Sequence, residues 1–181
     1  MRRKEKILIT GCAKSGTTLL RRLFHAYNLN VCVEEGTIQL LIDSDYNVVK
    51  RTADTILSHH HNWHMRRKEI KKQRRLILDN DIIVINIIRD KVDVVRSDNG
   101  YVTSKRYNAC LSQSHNNRDI IDITVYFNEL IKDPDRVQCD ISNKLGLTPE
   151  FMWSDYPVFI DESKEDFTDN NYKLRRIGEQ Y

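Results

Sequence analysis

The sequence predicts an α/β fold of three layers, a mainly parallel sheet flanked by helices, on three observations. Apolar, largely β-branched runs at 7–9 and 82–88 read as strands covered on both faces. Each run passes at once into polar residues and a helix-starting pattern. Strand and helix patterns then alternate with short connections, as parallel sheets require.

Residues 7–18 enter as a strand, cross a loop framed by Gly11 and Gly16, and leave at Thr17 into a helix over 17–27. Glycine permits the tight turn and close approach to an anion, while free N–H groups and the positive end of the helix dipole face it. A short strand follows near 30–33, then Glu34-Glu35-Gly36 and a helix over 37–43, then a third strand over 46–51. Residues 65–75 form a basic helix with seven lysines and arginines against one glutamate, seated on the core through Met65, Ile70 and Leu76. The strand at 82–88 delivers Arg89 at its carboxyl end, where ligands bind in open α/β sheets, and Ser97 falls about two turns along the next helix on the same side. A later strand covers 119–126. Asp133-Pro134 then opens a helix to about Leu145, which Gly146 stops.

With 40% hydrophobic and 30% charged residues, the chain suits one compact domain over 1–181. No apolar run is long enough to span a bilayer, and the basic start leads into the first strand without a signal-peptide core, so a soluble, cytoplasmic protein is expected. Cys12, Cys32, Cys110 and Cys139 are widely spaced and read as free thiols of a reducing compartment. Cys12 has no visible activating partner and reads as a small loop residue rather than a nucleophile. The net charge is only +3; the basic helix reads first as a solvated face and second as a surface that steers an anionic donor or acceptor. Without interleaved aromatic residues, nucleic acid is not an expected partner.

Lys14-Ser15-Gly16-Thr17-Thr18 nearly completes the nucleoside-triphosphate signature G-x-x-x-x-G-K-[ST], but Thr17 stands where its lysine belongs, and the lysine sits inside the loop as Lys14. The displaced cation argues for a differently shaped anion. This loop resembles the 5′-phosphosulfate loop of sulfotransferases that use 3′-phosphoadenosine 5′-phosphosulfate (PAPS). Arg89, Asp93 and Ser97 match the 3′-phosphate motif of that family in order and spacing. Residues 125–130, Asp133-Pro134 and Leu145-Gly146-Leu147 resemble its V-x-Y-E-D-L, D-P and L-G-L block, with Phe127 where tyrosine often stands. Residues 172–178, with Arg175 and Arg176, resemble its basic C-terminal segment. The resemblance runs from about residue 6 to 150 and implies a P-loop NTPase-like sulfotransferase fold, with PAPS as donor and 3′,5′-adenosine bisphosphate (PAP) as product.

The roles that the resemblance implies follow residue by residue. Ala13, Lys14, Ser15, Gly16, Thr17 and Thr18 hold the 5′-phosphosulfate; Arg89 and Ser97 hold the 3′-phosphate, which Arg175 or Arg176 closes over. In an in-line displacement at sulfur, Lys14 faces the leaving oxygen and Lys50 the sulfuryl end, and no metal is required. Val48-Val49-Lys50-Arg51-Thr52 resembles the V-V-K-T-H strand of cytosolic members, but Thr52 replaces the histidine base. Glu35, with Glu34 in reserve, occupies the place of the glutamate in carbohydrate sulfotransferases; as a base it calls for a desolvated site. Among His59, His60, His61 and His64, the pair His60 and His64 has helical i, i+4 spacing, but His61 stands where a zinc-protease motif needs glutamate. His60 is therefore an alternative base rather than a metal ligand. Two other functions stay open: a nucleotide kinase or triphosphatase using magnesium-ATP, and a silent PAP-binding protein that has lost its base. The expected partner is a small-molecule or carbohydrate acceptor, with a homodimer as one way to complete a short chain's cleft.

Overall fold

The computed structural model describes residues 6–52, 63–97 and 102–156 of the chain. Among them, five strands form one sheet: β1 (Ile7–Gly11), β2 (Val31–Glu35), β3 (Val48–Thr52), β4 (Ile83–Ile88) and β5 (Ile123–Tyr126). All pairings are parallel, in the order β2-β3-β1-β4-β5. Parallel neighbours cannot be joined by tight turns, so helices carry the chain back across the faces. These are α1 (Thr17–Leu23), α2 (Ile38–Asp43), α3 (Trp63–Asp79), α4 (Lys91–Arg96), α5 (Ser104–Asn116), α6 (Phe127–Lys132) and α7 (Pro134–Leu145).

Successive strand residues point to opposite faces, and two cores follow from that alternation. Ile7, Ile9, Val48, Ile85, Ile87, Ile123 and Val125 pack with Leu20, Leu23, Leu130 and Ile141 of α1, α6 and α7. Leu8, Val49 and Val84 pack on the other face with Ile38, Leu41 and Ile77 of α2 and α3. A smaller cluster of Cys12, Val94, Val102, Tyr107 and Cys110 seats α4 and α5 beside the first loop. Cys12 is thus a packed residue, and among the described residues none of the four cysteines forms a disulfide. Among the described residues, no helix is long and apolar enough to cross a membrane.

The helix ends carry the chemistry expected of them. Thr37 caps α2 by accepting from the Leu40 N–H, and Asp133 caps α7 by accepting from the Arg136 N–H, with Pro134 in the first turn. Gly146 closes α7 at φ 66°, a left-handed conformation that glycine adopts without strain.

Several boundaries differ from the sequence reading. The helix expected over 17–27 ends at Leu23 and tightens into a 3-10 turn, Phe24–Ala26, in which the Phe24 N–H is shared between the Arg21 and Arg22 carbonyls. Packing of Phe24 and Tyr27 against Trp153 diverts the chain there. β2 runs to Glu35 rather than Val33, because Glu35 pairs with Lys50 beyond an irregularity in the register that lies between Val31 and Glu35. β3 begins at Val48; the Asn47 side chain just before it accepts the Asn30 N–H at 2.9 Å. β5 is shorter than 119–126, its first residues forming a 3-10 turn, Arg118–Ile120. The basic helix extends to Trp63 and Asp79, and Ile77, 2% exposed, adds the buried contact that Ile70 and Leu76 only share. Helices α5 and α6 have no counterpart in the sequence reading. Only Tyr107 and Cys110 of α5 are buried, too few to give an apolar period.

Candidate active site

The loop after β1 is folded on itself by Ser15. Its N–H and its hydroxyl both donate to the Cys12 carbonyl, at 3.1 and 2.7 Å. Ser15 is 1% exposed, and its hydroxyl is engaged in shaping the loop. Lys14 sits at φ 67°, a left-handed conformation uncommon for a residue with a side chain and typical of ligand-binding turns. Gly16 precedes α1 at φ 99°; a Cβ there would lie 2.4 Å from Cδ2 of Phe127. A Cβ on Gly11 would lie 2.6 Å from the Ile87 carbonyl oxygen, so the loop can rest against β4 only with glycine at that position.

Arg89 leaves β4 and turns back onto this loop. Its Nη1 donates to the Lys14 carbonyl at 3.3 Å, and its guanidinium carbon lies 4.4 Å from the centroid of the Phe127 ring. Its Nε is buried and has no hydrogen-bond partner among the described residues. The Arg89 carbonyl accepts from the Tyr107 hydroxyl at 2.7 Å. Burial, with Cys12 and Asp90 nearby, pushes that phenol above its ordinary pKa of 10.0, which keeps it a donor. Asp90 starts α4 by accepting the Val92 N–H at 2.7 Å. Ser97 ends α4 with its hydroxyl donating to the Val94 carbonyl at 3.0 Å.

A third group of side chains joins β2, β3 and α1. Lys50 Nζ donates to Thr18 Oγ1 at 2.9 Å and stands 3.2 Å from Glu35 Oε1. The Lys50 side chain is 12% exposed and that of Glu35 is 49% exposed. An ion pair so open to water contributes only about 0–1 kcal/mol, so its consequence is positional: it holds the ammonium beside the start of α1. The described residues do not build around Glu35 the desolvated pocket that the sequence reading asked for. Glu34 is exposed and is not the register partner of Lys50.

Lys14 and Arg89 are therefore brought into contact, and Glu35, Lys50 and Thr18 form a linked set. Thr17 is buried at 3% exposure, while Ala13 and Thr18 are partly exposed along the loop and first turn. His59, His60, His61, Arg175 and Arg176 lie outside the described residues. Phe127 and Tyr107 are the positions that sequence reasoning missed. Phe127 entered the sequence reading only as standing where tyrosine often does; its place directly after a strand was the available signal, and its contact with Gly16 arises only in the fold. Tyr107 gave none. Gly11 and Gly16 let the loop backbone approach β4 and Phe127, and among the described residues the Arg89 Nε lacks an acceptor.

No protein-family model matches this chain, and no curated protein matches it. Among solved structures, mouse sulfotransferase SULT7A1 complexed with PAP is similar with a TM-score of 0.50 and 16% identity, over 81% of this chain and 60% of that one. A sulfotransferase from Alicyclobacillus acidocaldarius is similar with a TM-score of 0.46 and 16% identity, over 96% of this chain and 90% of that one. The chain thus spans about 60% of the mouse protein's length. At this identity the likeness speaks to architecture, and the five-stranded parallel sheet with flanking helices is a sulfotransferase fold.

Proposed function

We propose that this protein is a sulfotransferase that takes a sulfuryl group from PAPS, passes it to a hydroxyl or amine of an acceptor, and releases PAP. The observation that supports this most is the joining of two anion-binding segments: Arg89 donates to the carbonyl of Lys14, the lysine displaced into the loop. The loop from Ala13 to Thr18 would hold the 5′ end of the nucleotide, and Arg89, with Ser97, its 3′-phosphate. PAPS supplies the activated sulfuryl group. Lys14 places positive charge where the departing oxygen becomes negative and Lys50 at the sulfuryl end, and such preorganised charge is usually the largest catalytic term. Glu35 accepts the acceptor's proton, with Glu34 and His60 as alternates, and Arg175 or Arg176 closes the 3′ end. The acceptor is a small molecule or carbohydrate, and the setting is the cytoplasm.

A silent PAP-binding protein is the second reading, favoured by Thr52 in the position of a histidine base and by the exposure of Glu35. A nucleotide kinase or triphosphatase fits less well, since Thr17 occupies the place of its lysine. Transfer assays with radiolabelled PAPS and panels of sugars, alcohols, amines and tyrosine peptides separate these readings. Label on an acceptor, lost in Lys14→Ala and strongly reduced in Glu35→Gln, supports transfer. Tight PAP binding with no labelled acceptor in any panel points to the silent protein.

A further inference from the structure

The face of the sheet opposite Lys50 carries a polar layer that the nucleotide site does not use. Strand register aligns Arg51, Thr10, Asn86 and Thr124 across β3, β1, β4 and β5. The row lies two residues beyond apolar Val49, Leu8 and Val84, so all four side chains share the α3 face. Arg51, Thr10 and Asn86 are 5%, 0% and 1% exposed, where an apolar layer would be expected. Glu69 of α3 lies 3.7 Å from Arg51 and answers its charge. Among the described residues, Thr10 Oγ1 and Asn86 Oδ1 have no hydrogen-bond partner. A buried amide oxygen without a donor is rare and calls for an explanation.

Asn86 is also part of the wall of a cavity. Between the carboxyl halves of β4 and β5 and the last turns of α5 lies a space of about 680 Å³, well within the range of small-molecule sites. Ile88, Ile121 and Tyr126 give it apolar walls, and His115 and Arg118 its basic groups. No carboxylate is among its described lining residues. We infer that this cavity is a second ligand site, for a small hydroxylated aromatic acid. The ring lies on Ile88, Ile121 and Tyr126, the hydroxyl meets the Asn86 amide, and the carboxylate faces Arg118. A hydroxyl suits the amide in either orientation, because it both donates and accepts.

The test is a titration of the full chain, labelled for backbone amide spectra, with para-hydroxybenzoate as probe and with benzoate and para-cresol as controls. Saturable shifts centred on α5 and the ends of β4 and β5 are expected with para-hydroxybenzoate, and binding roughly tenfold weaker with each control, which lacks one of the two polar groups. Arg118→Gln lowers affinity about tenfold, and Thr124→Trp, at an exposed strand position, abolishes binding by filling the space. Both variants spare the buried layer and keep the test open should Asn86→Leu fail to fold. PAP leaves the shifts of the cavity residues Leu111, His115 and Arg118 unchanged. Absence of shifts, equal binding of benzoate, or shifts confined to residues 11–18 would each overturn the inference, whether or not the nucleotide site binds PAP.

Discussion

Gly16 occupies a position where a single methyl group would be felt twice. Its φ of 99° is strained for any other residue, and a Cβ would press into the Phe127 ring beneath Arg89. Gly16→Ala is expected to destabilise the protein by about 1–3 kcal/mol in chemical denaturation and to weaken nucleotide binding, because loop and arginine must shift together. An unchanged midpoint would show that the ring yields freely. Arg89 makes a similar point about charge. Lysine there keeps the charge but loses the planar stacking on Phe127 and the fork of donors, so Arg89→Lys should weaken PAP binding roughly tenfold with little change in melting temperature. The sequence signals Lys14 and Arg89 because their spacing is local and each follows a strand. It hides Phe127 and Tyr107, whose roles arise from contacts across the fold, with Arg89 Cζ over the ring and the Tyr107 hydroxyl on the Arg89 carbonyl.

Helix ends are the elements written most plainly in the chain. Asp133, Pro134 and Gly146 mark α7 at both ends, and Asp133→Ala should cost about 1 kcal/mol of stability through the lost Arg136 cap. α5 is the opposite case: one apolar pair, Tyr107 and Cys110, cannot be told from chance without the cluster it packs into. The 3-10 turn after α1 carries a pH response. Burial, then the charges of Arg21 and Arg22, hold His25 below its ordinary 6.5. The unfolded chain therefore binds that proton more tightly than the folded one, and stability present above about 6.5 falls as pH drops through the folded value. Thermal melts between about pH 7.5 and 5.5 should show this decline, with a shallower slope in His25→Gln. Identical slopes would remove His25 as the cause.

At the level of the whole molecule, the segment after α7 ties back onto the α1 face. Trp153 is fully buried against Phe24 and Tyr27; its backbone N–H donates to Gln138 Oε1 at 2.8 Å, while its indole N–H finds no acceptor among the described residues. Gln138 in turn donates to the Phe151 carbonyl at 2.9 Å. Trp153→Ala is expected to cost about 3–5 kcal/mol, measured by denaturant unfolding. Strand alternation made the sheet legible, but neither the order of its strands nor this return segment follows from periodicity. The same holds for the site: two motifs far apart in sequence meet because β1 and β4 are neighbours, in register from Ile7 with Ile83 to Gly11 with Ile87. Their meeting underlies the proposal that one crevice takes a bisphosphorylated adenosine. Calorimetric titration with PAP and with ATP, each with and without magnesium, tests it most directly. Metal-independent binding of PAP, lost in both Lys14→Ala and Arg89→Ala, is the expected result; a preference for magnesium-ATP, or PAP binding that survives both substitutions, would contradict it.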